Sequence, residues 1–220
     1  MTEKHVGPSA ERPRRLVVVT GTATSVGKTW VTSSLAGRLR AAGLRVAARK
    51  PTQSFSSGET TDAEILASAT GELVESVCPA MWWYPVPYAP PMAAEVLGQP
   101  APRLAELTDW LRRWPTGIDV ALVETVGGVR SPLCIDGDTA DLLGSLVPDT
   151  VVLVAEAGLG AINSVRLSVA AISPWPTVVY LNRHAPDDDL HRRNRAWLEA
   201  EGLRVAVSID MLMASLVPDT

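Results

Sequence analysis

The chain has 220 residues, of which 46% are hydrophobic, and its formal net charge is −4 at pH 7. This length and apolar content suffice for one sizeable core and favour a single domain. A mildly acidic chain without a long basic run argues against electrostatic capture of nucleic acid, so an anionic ligand would need a local site.

The two cysteines, Cys78 and Cys134, have no CxxC spacing. A disulfide framework or zinc site is therefore not expected, and a reducing cytoplasm fits. No apolar run reaches the roughly 18 residues that a membrane helix needs, and no signal-peptide core follows the polar start. We predict a cytoplasmic protein without membrane or nucleic-acid partners.

After a polar tail at residues 1–15, which we expect to be disordered, a single domain is predicted over residues 16–220. Short apolar runs alternate there with longer stretches of helical period. Strands that are apolar on both faces are typical of parallel sheets joined by right-handed helical crossovers. The predicted fold is an α/β three-layer sandwich with a doubly wound, mostly parallel sheet. The predicted strands are Leu16–Val19, Arg45–Arg49, Val120–Val123, Val151–Ala155, Val178–Leu181 and Val205–Val207.

The predicted helices lie between these strands and after the phosphate-loop segment, in the longer stretches of helical period. Gly43 and Gly202 lie where helix C-caps belong. The stretch from Cys78 to Pro102 is rich in Pro and Trp and has no clear period, so it is either a functional or mobile loop or a rigid surface wrap. The predicted helices are approximately Lys28–Ala42, Asp62–Thr70, Leu104–Trp114, Thr139–Leu146, Asn163–Ile172 and Asp188–Ala200.

The segment Gly21–Thr29 reads GTATSVGKT and lies between the first predicted strand and the first predicted helix. A phosphate loop needs this context, because its backbone N–H groups and the positive end of the helix both face the phosphates. Lys28 would reach the β- and γ-phosphates, and the Thr29 hydroxyl would ligate Mg²⁺. The spacing is a variant of GxxxxGK[ST]. The segment predicts that a nucleoside triphosphate binds with Mg²⁺, in a fold of the P-loop NTPase type.

Three further side chains are candidates for the same site. Glu124 ends a predicted strand, where a carboxylate next to a phosphate loop can hold Mg²⁺. Asp62 begins a predicted helix and is either a second such ligand or an ordinary N-cap. Lys50 directly follows a strand, and it either neutralises charge on a transferring phosphoryl group or is a surface lysine at a strand end.

These and other motifs follow one another in a fixed order over about residues 16 to 212. With them the chain resembles the dethiobiotin synthetases, the ATP-dependent carboxylase-cyclases of biotin synthesis. The resemblance rests on Gly21–Thr29, Lys50-Pro51, the Ser/Thr-rich loop before Asp62, the Pro/Ala-rich stretch from Tyr84 to Glu95, VExxGG at Val123–Gly128, Ser131-Pro132-Leu133, GLGxIN at Gly158–Asn163, and Asn182.

The resemblance implies a role for each matching residue. Lys50 and Lys28 would stabilise phosphoryl transfer, with Lys50 the catalytic lysine, and Thr24 and Ser54 would lie near the reacting groups. The implied Mg²⁺ ligands are Thr29, Asp62 and Glu124. The implied nucleotide contacts also include Ser25, Val26, Gly27, Trp30, Gly127 and Asn182, the last to the base. The implied substrate contacts include Gly128, Leu159, Gly160 and Asn163, with Gly158–Asn163 reaching across a homodimer interface.

The implied reaction joins CO₂ to 7,8-diaminononanoate and closes a ureido ring, giving dethiobiotin, ADP and phosphate. Three segments depart from the family pattern, one of them Ile209-Asp210-Met211, which stands where the family has Ile-Pro with a proline that contacts the base. Thr125-Val126 replaces a glycine and an alanine, and the loop after Lys50 delays its glycine to Gly58. A paralogous ATP-dependent enzyme acting on another amine or carboxylate therefore stays open. A P-loop ATPase switch of the partitioning type is a third alternative. Such a switch would carry an extra lysine where this chain has Thr22-Ala23-Thr24, so the sequence argues against it.

Overall fold

Six short strands rich in β-branched residues lie side by side in one parallel sheet. The structure, a computed structural model, describes residues 11–216. The strands of this sheet are β1 (Arg15–Gly21), β2 (Val46–Arg49), β5 (Val120–Glu124), β8 (Thr150–Glu156), β9 (Thr177–Asn182) and β10 (Arg204–Ala206). Their order across the sheet is β10-β9-β8-β1-β5-β2. Two small two-stranded sheets pair β3 (Gln53–Ser54) with β4 (Trp83–Tyr84), and β6 (Pro132–Cys134) with β7 (Gly137–Asp138).

Helices cover both faces of the large sheet. The helices are α1 (Lys28–Ala41), α2 (Asp62–Thr70), α3 (Val74–Val77), α4 (Pro90–Leu97), α5 (Leu104–Leu111), α6 (Thr139–Leu146), α7 (Ala161–Ala171), α8 (Asp189–Ala200) and α9 (Ile209–Leu216). Apolar side chains of α1 and α9 pack on one face, and those of α5 to α8 pack on the other. Within residues 11–216, no helix is long and apolar enough to cross a membrane.

The alternation of side chains along each strand divides the core into two layers. In β1, Leu16 and Val18 belong to one apolar cluster, whereas Val17 and Val19 belong to the other. Successive strand residues point to opposite faces, so a strand covered on both faces must be apolar throughout. This explains the continuous apolar runs, and the predicted three-layer α/β fold is confirmed.

The order of the strands places the functional segments at one edge. β1 lies in the middle, with β5 on one side and β8 on the other. Strands that follow β1 in sequence are thus added on both sides of it, and the strand order switches sides next to β1. In such sheets a crevice opens at the carboxyl ends of the strands where the order reverses. The segment after β1, the residue after β2 and the last residue of β5 therefore meet there.

All six predicted strands and all six predicted helices are present, with ends shifted by a few residues. The helix predicted to end at Trp114 ends at Leu111. The stretch from Cys78 to Pro102 contains structure that its sequence did not predict: a turn of 3-10 helix at Ala80–Trp82, then β4 and α4. These elements are too short to show a period, and α4 begins at a proline, which suits the first turn of a helix.

The predicted tail lies mostly outside the described residues, which begin at residue 11. Of its last residues, Arg14 donates its backbone N–H to the Ile118 carbonyl at 3.1 Å, and Arg15 donates to the Asp119 carbonyl at 3.0 Å. Arg15 is the first residue of β1. The ordered domain therefore begins slightly before the predicted boundary at residue 16.

Candidate active site

A cavity of about 540 Å³ opens at the carboxyl edge of the sheet. The segment after β1 forms one wall of this cavity. The loop between Lys50 and Asp62 and the start of α4 form the opposite wall. The predicted site residues in its lining are Thr24, Ser25, Gly27, Lys28, Thr29, Lys50, Ser54, Asp62 and Gly127.

The segment Gly21–Thr29 has the backbone of an anion-binding loop. Ser25 and Gly27 adopt left-handed φ angles of 61° and 94°. Helix α1 begins directly after Gly27, without a side-chain cap and without an acidic residue in its first turn. The partial positive charge at this helix end is thus left for a ligand, which is the arrangement that binds phosphate groups.

Lys28 reaches back over this loop. Its Nζ donates to the Ala23 carbonyl at 3.0 Å, and the residue is only 7% exposed. Burial, with a smaller contribution from the nearby Lys50 ammonium, lowers the pKa of Lys28 to about 8. An anionic ligand would reverse this shift, because it favours the charged form of the lysine.

Lys50 lies between the two candidate carboxylates. Its Nζ is 2.6 Å from Asp62 Oδ2 and 2.7 Å from Glu124 Oε1. The parallel register of β2 with β5 pairs Arg49 with Val123, so the next residues, Lys50 and Glu124, lie beside each other. Burial opposes the charge of Lys50, but the two carboxylates outweigh it and raise the pKa of Lys50 above its usual value. The surface-lysine alternative is wrong, since Lys50 is only 2% exposed.

The Thr29 hydroxyl joins the same cluster. Its Oγ1 lies 2.7 Å from Asp62 Oδ1 and 2.8 Å from Glu124 Oε1. A hydroxyl has one hydrogen, so it can donate to only one of these two oxygens. One of the two short oxygen–oxygen contacts therefore contains no hydrogen from Thr29. Three hard oxygen atoms that lie this close together suit a cation.

Asp62 is not the N-cap of α2. That position is Thr61, whose side chain accepts from the Glu64 backbone N–H at 3.3 Å, while Thr61 N donates to Glu64 Oε2 at 2.7 Å in a capping box. Asp62 is thus free to turn towards Lys50. Burial raises its pKa, but the Lys50 ammonium outweighs this effect, and the net pKa of Asp62 is lowered.

Thr125 and Val126, the two residues of one departure from the family pattern, lie in different environments. Thr125 is fully buried, and its Oγ1 is hydrogen-bonded to Thr20 Oγ1 at 3.0 Å. Its bulk therefore faces the sheet. Val126 and Gly127, in contrast, line the cavity. Of the pair Thr125-Val126, only Val126 can therefore alter the shape of the cavity that a ligand would enter.

Other predicted site residues lie outside the cavity lining. Asn182 is buried and donates from Nδ2 to the Val26 carbonyl at 2.9 Å, so it supports the phosphate loop from behind. The Gly128 N–H donates to Ser131 Oγ at 2.9 Å. The exposed residues are Trp30 at 54%, Leu159 at 94%, Gly160 and Asn163. Their roles towards nucleotide, substrate or a second subunit stay predictions.

Sequence reasoning missed three residues near the site. Gln53 lines the cavity, and its Oε1 accepts from the Ala63 N–H at 3.0 Å. Its place in the Ser/Thr-rich loop after Lys50 was the available signal. Buried Arg49 and partly buried Glu72 form an ion pair beside Lys50, with Nη1 and Oε1 2.8 Å apart. A charged residue ending an apolar strand was the one hint of that pair.

Gly27 offers a direct test of the contact between the phosphate loop and Asn182. A Cβ at Gly27 would overlap Asn182 Nδ2, whereas a Cβ at Gly58, with a similar φ of 88°, meets nothing within 4 Å. Both Gly→Ala changes carry a left-handed backbone cost of about 1–2 kcal/mol. We expect Gly27→Ala to lower the free energy of unfolding clearly more than Gly58→Ala, as measured by chemical denaturation.

In the Gly27→Ala protein, adding Asn182→Ala should recover that difference. Equal losses for the two glycine variants would show that the Asn182 contact does not constrain the loop.

Comparisons with known proteins agree with this arrangement. A family model described as "AAA domain" matches residues 15–213. The chain is 39% identical over 183 residues to the ATP-dependent dethiobiotin synthetase BioD of Anaeromyxobacter dehalogenans (strain 2CP-C), a match that covers 80% of this chain and 79% of that protein. It is 38% identical over 162 residues to the protein of the same name from Rhodococcus jostii (strain RHA1), covering 72% and 68%.

Solved structures of lower identity share the fold. A DUF1611 family protein from Anabaena variabilis superposes with a TM-score of 0.57 at 16% identity, over 99% of this chain and 62% of that one. The signal recognition particle receptor FtsY from Elizabethkingia anophelis gives 0.54 at 15% identity, over 92% and 62%. The chain thus spans about 62% of the length of each of these two proteins. The relatives above, together with the order of the motifs, show that the chain belongs to the dethiobiotin synthetase family.

Proposed function

We propose that this protein uses ATP and Mg²⁺ to join CO₂ to 7,8-diaminononanoate and to close the ureido ring of dethiobiotin, releasing ADP and phosphate. The observation that carries this proposal is the cluster in which Lys50 lies between Asp62 and Glu124, next to Thr29 and Lys28 of the phosphate loop. The names of the relatives support the choice of substrate.

The proposed chemistry balances without a protein nucleophile. One amine of the diamine attacks the carbon of CO₂ and loses a proton, which gives a carbamate. A carbamate oxygen then attacks the γ-phosphorus of ATP, and ADP leaves. The second amine attacks the carbonyl carbon of this mixed anhydride and loses a proton, phosphate leaves, and the ring closes. Positioning and charge compensation are therefore what the protein must supply.

The oxygen donors of the cluster fit a magnesium ion. Thr29, Asp62 and Glu124 supply a hydroxyl and two carboxylates, the hard ligands that Mg²⁺ prefers beside substrate phosphates. Among residues 11–216, Glu124 Oε2 is buried and accepts no hydrogen bond. When bound there, Mg²⁺ would neutralise part of the phosphate charge.

The two lysines would act on the transferring group. The chain has three lysines, and two of them, Lys28 and Lys50, line this cavity. Their ammonium groups would compensate the charge that develops on the γ-phosphoryl oxygens. Thr24 and Ser54 line the cavity as well and would orient the carbamate and the second amine by hydrogen bonds.

A second function is favoured by one observation. Val126 lines the cavity where the family pattern has a small residue. An isopropyl group there leaves less space in the cavity than a small residue would. A different amine or carboxylate is therefore the alternative substrate of the same phosphoryl-transfer site.

The reaction can be tested with purified protein. With ATP, Mg²⁺, bicarbonate and 7,8-diaminononanoate, we expect dethiobiotin and ADP in equal amounts by mass spectrometry. Omission of the diamine or of Mg²⁺ should stop both products. ATP turnover that another amine triggers, without any dethiobiotin from the diaminononanoate, would favour the alternative substrate.

Lys50→Gln separates catalysis from nucleotide binding. We expect it to lower turnover to background, because the γ-phosphoryl charge loses its compensating ammonium, while calorimetry with ATP and Mg²⁺ still detects binding. Arg45→Gln, at the start of the same strand region and with its side chain 62% exposed, is the control and should turn over normally. Full turnover in Lys50→Gln would refute the role of Lys50.

We also propose that Leu159, Gly160 and Asn163 complete the substrate site of a second subunit. Leu159 is 94% exposed, and Gly160 and Asn163 are exposed as well, at the turn where α7 begins. If each site draws on two chains, mixing Lys50→Gln protein with Asn163→Ala protein should regenerate some wild-type sites. We expect activity after mixing that exceeds the sum of the two separate samples. Mixtures that stay inactive, or a monomer by light scattering, would contradict this proposal.

A further inference from the structure

We propose that Arg49 and Glu72 form a clamp that positions Lys50, and that this clamp sets the rate of phosphoryl transfer. The inference rests on the proposed function, since it assigns a task through Lys50. It concerns Ala48 and Arg49, the last two residues of β2, and Lys50, which follows them.

The end of β2 needs support because β2 is the outer strand of the sheet. An edge strand leaves backbone N–H groups without a neighbouring strand, and buried N–H groups need partners. Here Ala48 N donates to Glu72 Oε2 at 2.7 Å, and Lys50 N donates to the Val77 carbonyl at 2.7 Å. Glu72 thus takes the place of a neighbouring strand two residues before Lys50.

The other oxygen of Glu72 holds Arg49. Arg49 Nη1 donates to Glu72 Oε1 at 2.8 Å and to the Ala48 carbonyl at 2.6 Å. The guanidinium carbon lies 4.7 Å from the ring centre of Trp114 and 5.7 Å from that of Trp110. The residue is 4% exposed. A cation enclosed by a carboxylate and two aromatic rings has little freedom to move.

Helix α2 connects this clamp to the active site. Asp62 is its first residue, and Glu72 follows Gly71, the C-cap of the helix with φ 76°. The carboxylates at its two ends therefore bind consecutive cations: Asp62 holds the Lys50 side chain, and Glu72 holds Arg49. The helix braces the end of β2 at two points. If Glu72 is lost, the backbone of Lys50 is held less firmly, and misplaced catalytic groups react slowly.

The test compares Glu72→Ala with Glu72→Gln and with Glu75→Ala, an exposed neighbour. Phosphate release from ATP and dethiobiotin formation are recorded separately, per folded protein. We expect Glu72→Ala to lower kcat about tenfold, with KM for ATP nearly unchanged. Glu72→Gln keeps one acceptor oxygen for the Ala48 N–H but turns an NH₂ donor towards Arg49, so it should recover only part of the rate, whereas Glu75→Ala should match the wild type.

A second variant guards against loss of folding in Glu72→Ala, which leaves Arg49 buried without its partner. The double change Arg49→Met with Glu72→Leu replaces the buried pair with apolar groups, an exchange that often keeps stability. It still removes the acceptor for the Ala48 N–H, so we expect a folded protein whose melting temperature is modestly lowered and whose kcat is again lowered about tenfold.

A cycle with Lys50→Arg asks whether the effect passes through Lys50. In that background, the residual phosphate release should be indifferent to the double change, because coupled residues are not additive. An equal fold loss in both backgrounds, or an unchanged kcat in the folded double variant, would overturn the proposal. Wild-type protein that releases phosphate without forming dethiobiotin would refute the proposed substrate and leave this comparison intact.

Discussion

The contact on which the site depends is that of the Lys50 ammonium with two carboxylates, at 2.6 Å and 2.7 Å. Glu124 is fully buried, and an unpaired charge there would be very costly. The pairing requires β2 and β5 to be neighbours in register, and it requires α2 to begin where it does. The position of Lys50 Nζ thus depends both on the strand order and on where α2 begins.

The same contact joins the two walls of the cavity. Thr29 belongs to the phosphate loop, Glu124 to the end of β5, and Asp62 to α2, and all three meet within hydrogen-bonding distance. A ligand that enters between them meets groups that already share charge and hydrogen bonds. Little reorganisation of the protein is then needed when phosphate charge arrives, which is the condition for efficient electrostatic stabilisation.

Local sequence predicted the parts of the site whose signal is local. The phosphate loop, Lys50 after a strand and Glu124 at a strand end could be read from spacing and apolar runs, and so could the six strands of the sheet. The family resemblance supplied Asp62, which local reasoning left undecided between a ligand and an N-cap. Thr61 and Glu64 exclude the N-cap, because their capping box occupies that position and leaves the Asp62 side chain to contact Lys50.

Sequence could not predict the contacts that depend on which segments meet in space. Glu72 lies just beyond a helix end and shows no pattern, yet it caps the outer edge of β2. Trp110 and Trp114 fall within the predicted helix Leu104–Trp114, and nothing in its pattern indicated that the two rings enclose a guanidinium group. The short elements between Cys78 and Pro102 were missed because runs of two to eight residues carry too little period.

Thr125 and Val126, which both depart from the family pattern, differ in how far they can affect a bound substrate. Thr125 replaces a glycine, but its side chain is bonded to Thr20 beneath the phosphate loop, so it strengthens the junction of β5 with β1. Val126 faces the cavity together with Ser54 and the start of α4. Under the proposed function, selectivity between substrates would arise from these residues, because the phosphate loop is expected to hold the phosphates. The phosphate loop and its neighbouring carboxylates follow the family pattern, and under the proposed function any change of substrate would come from Val126 and the loop after Lys50.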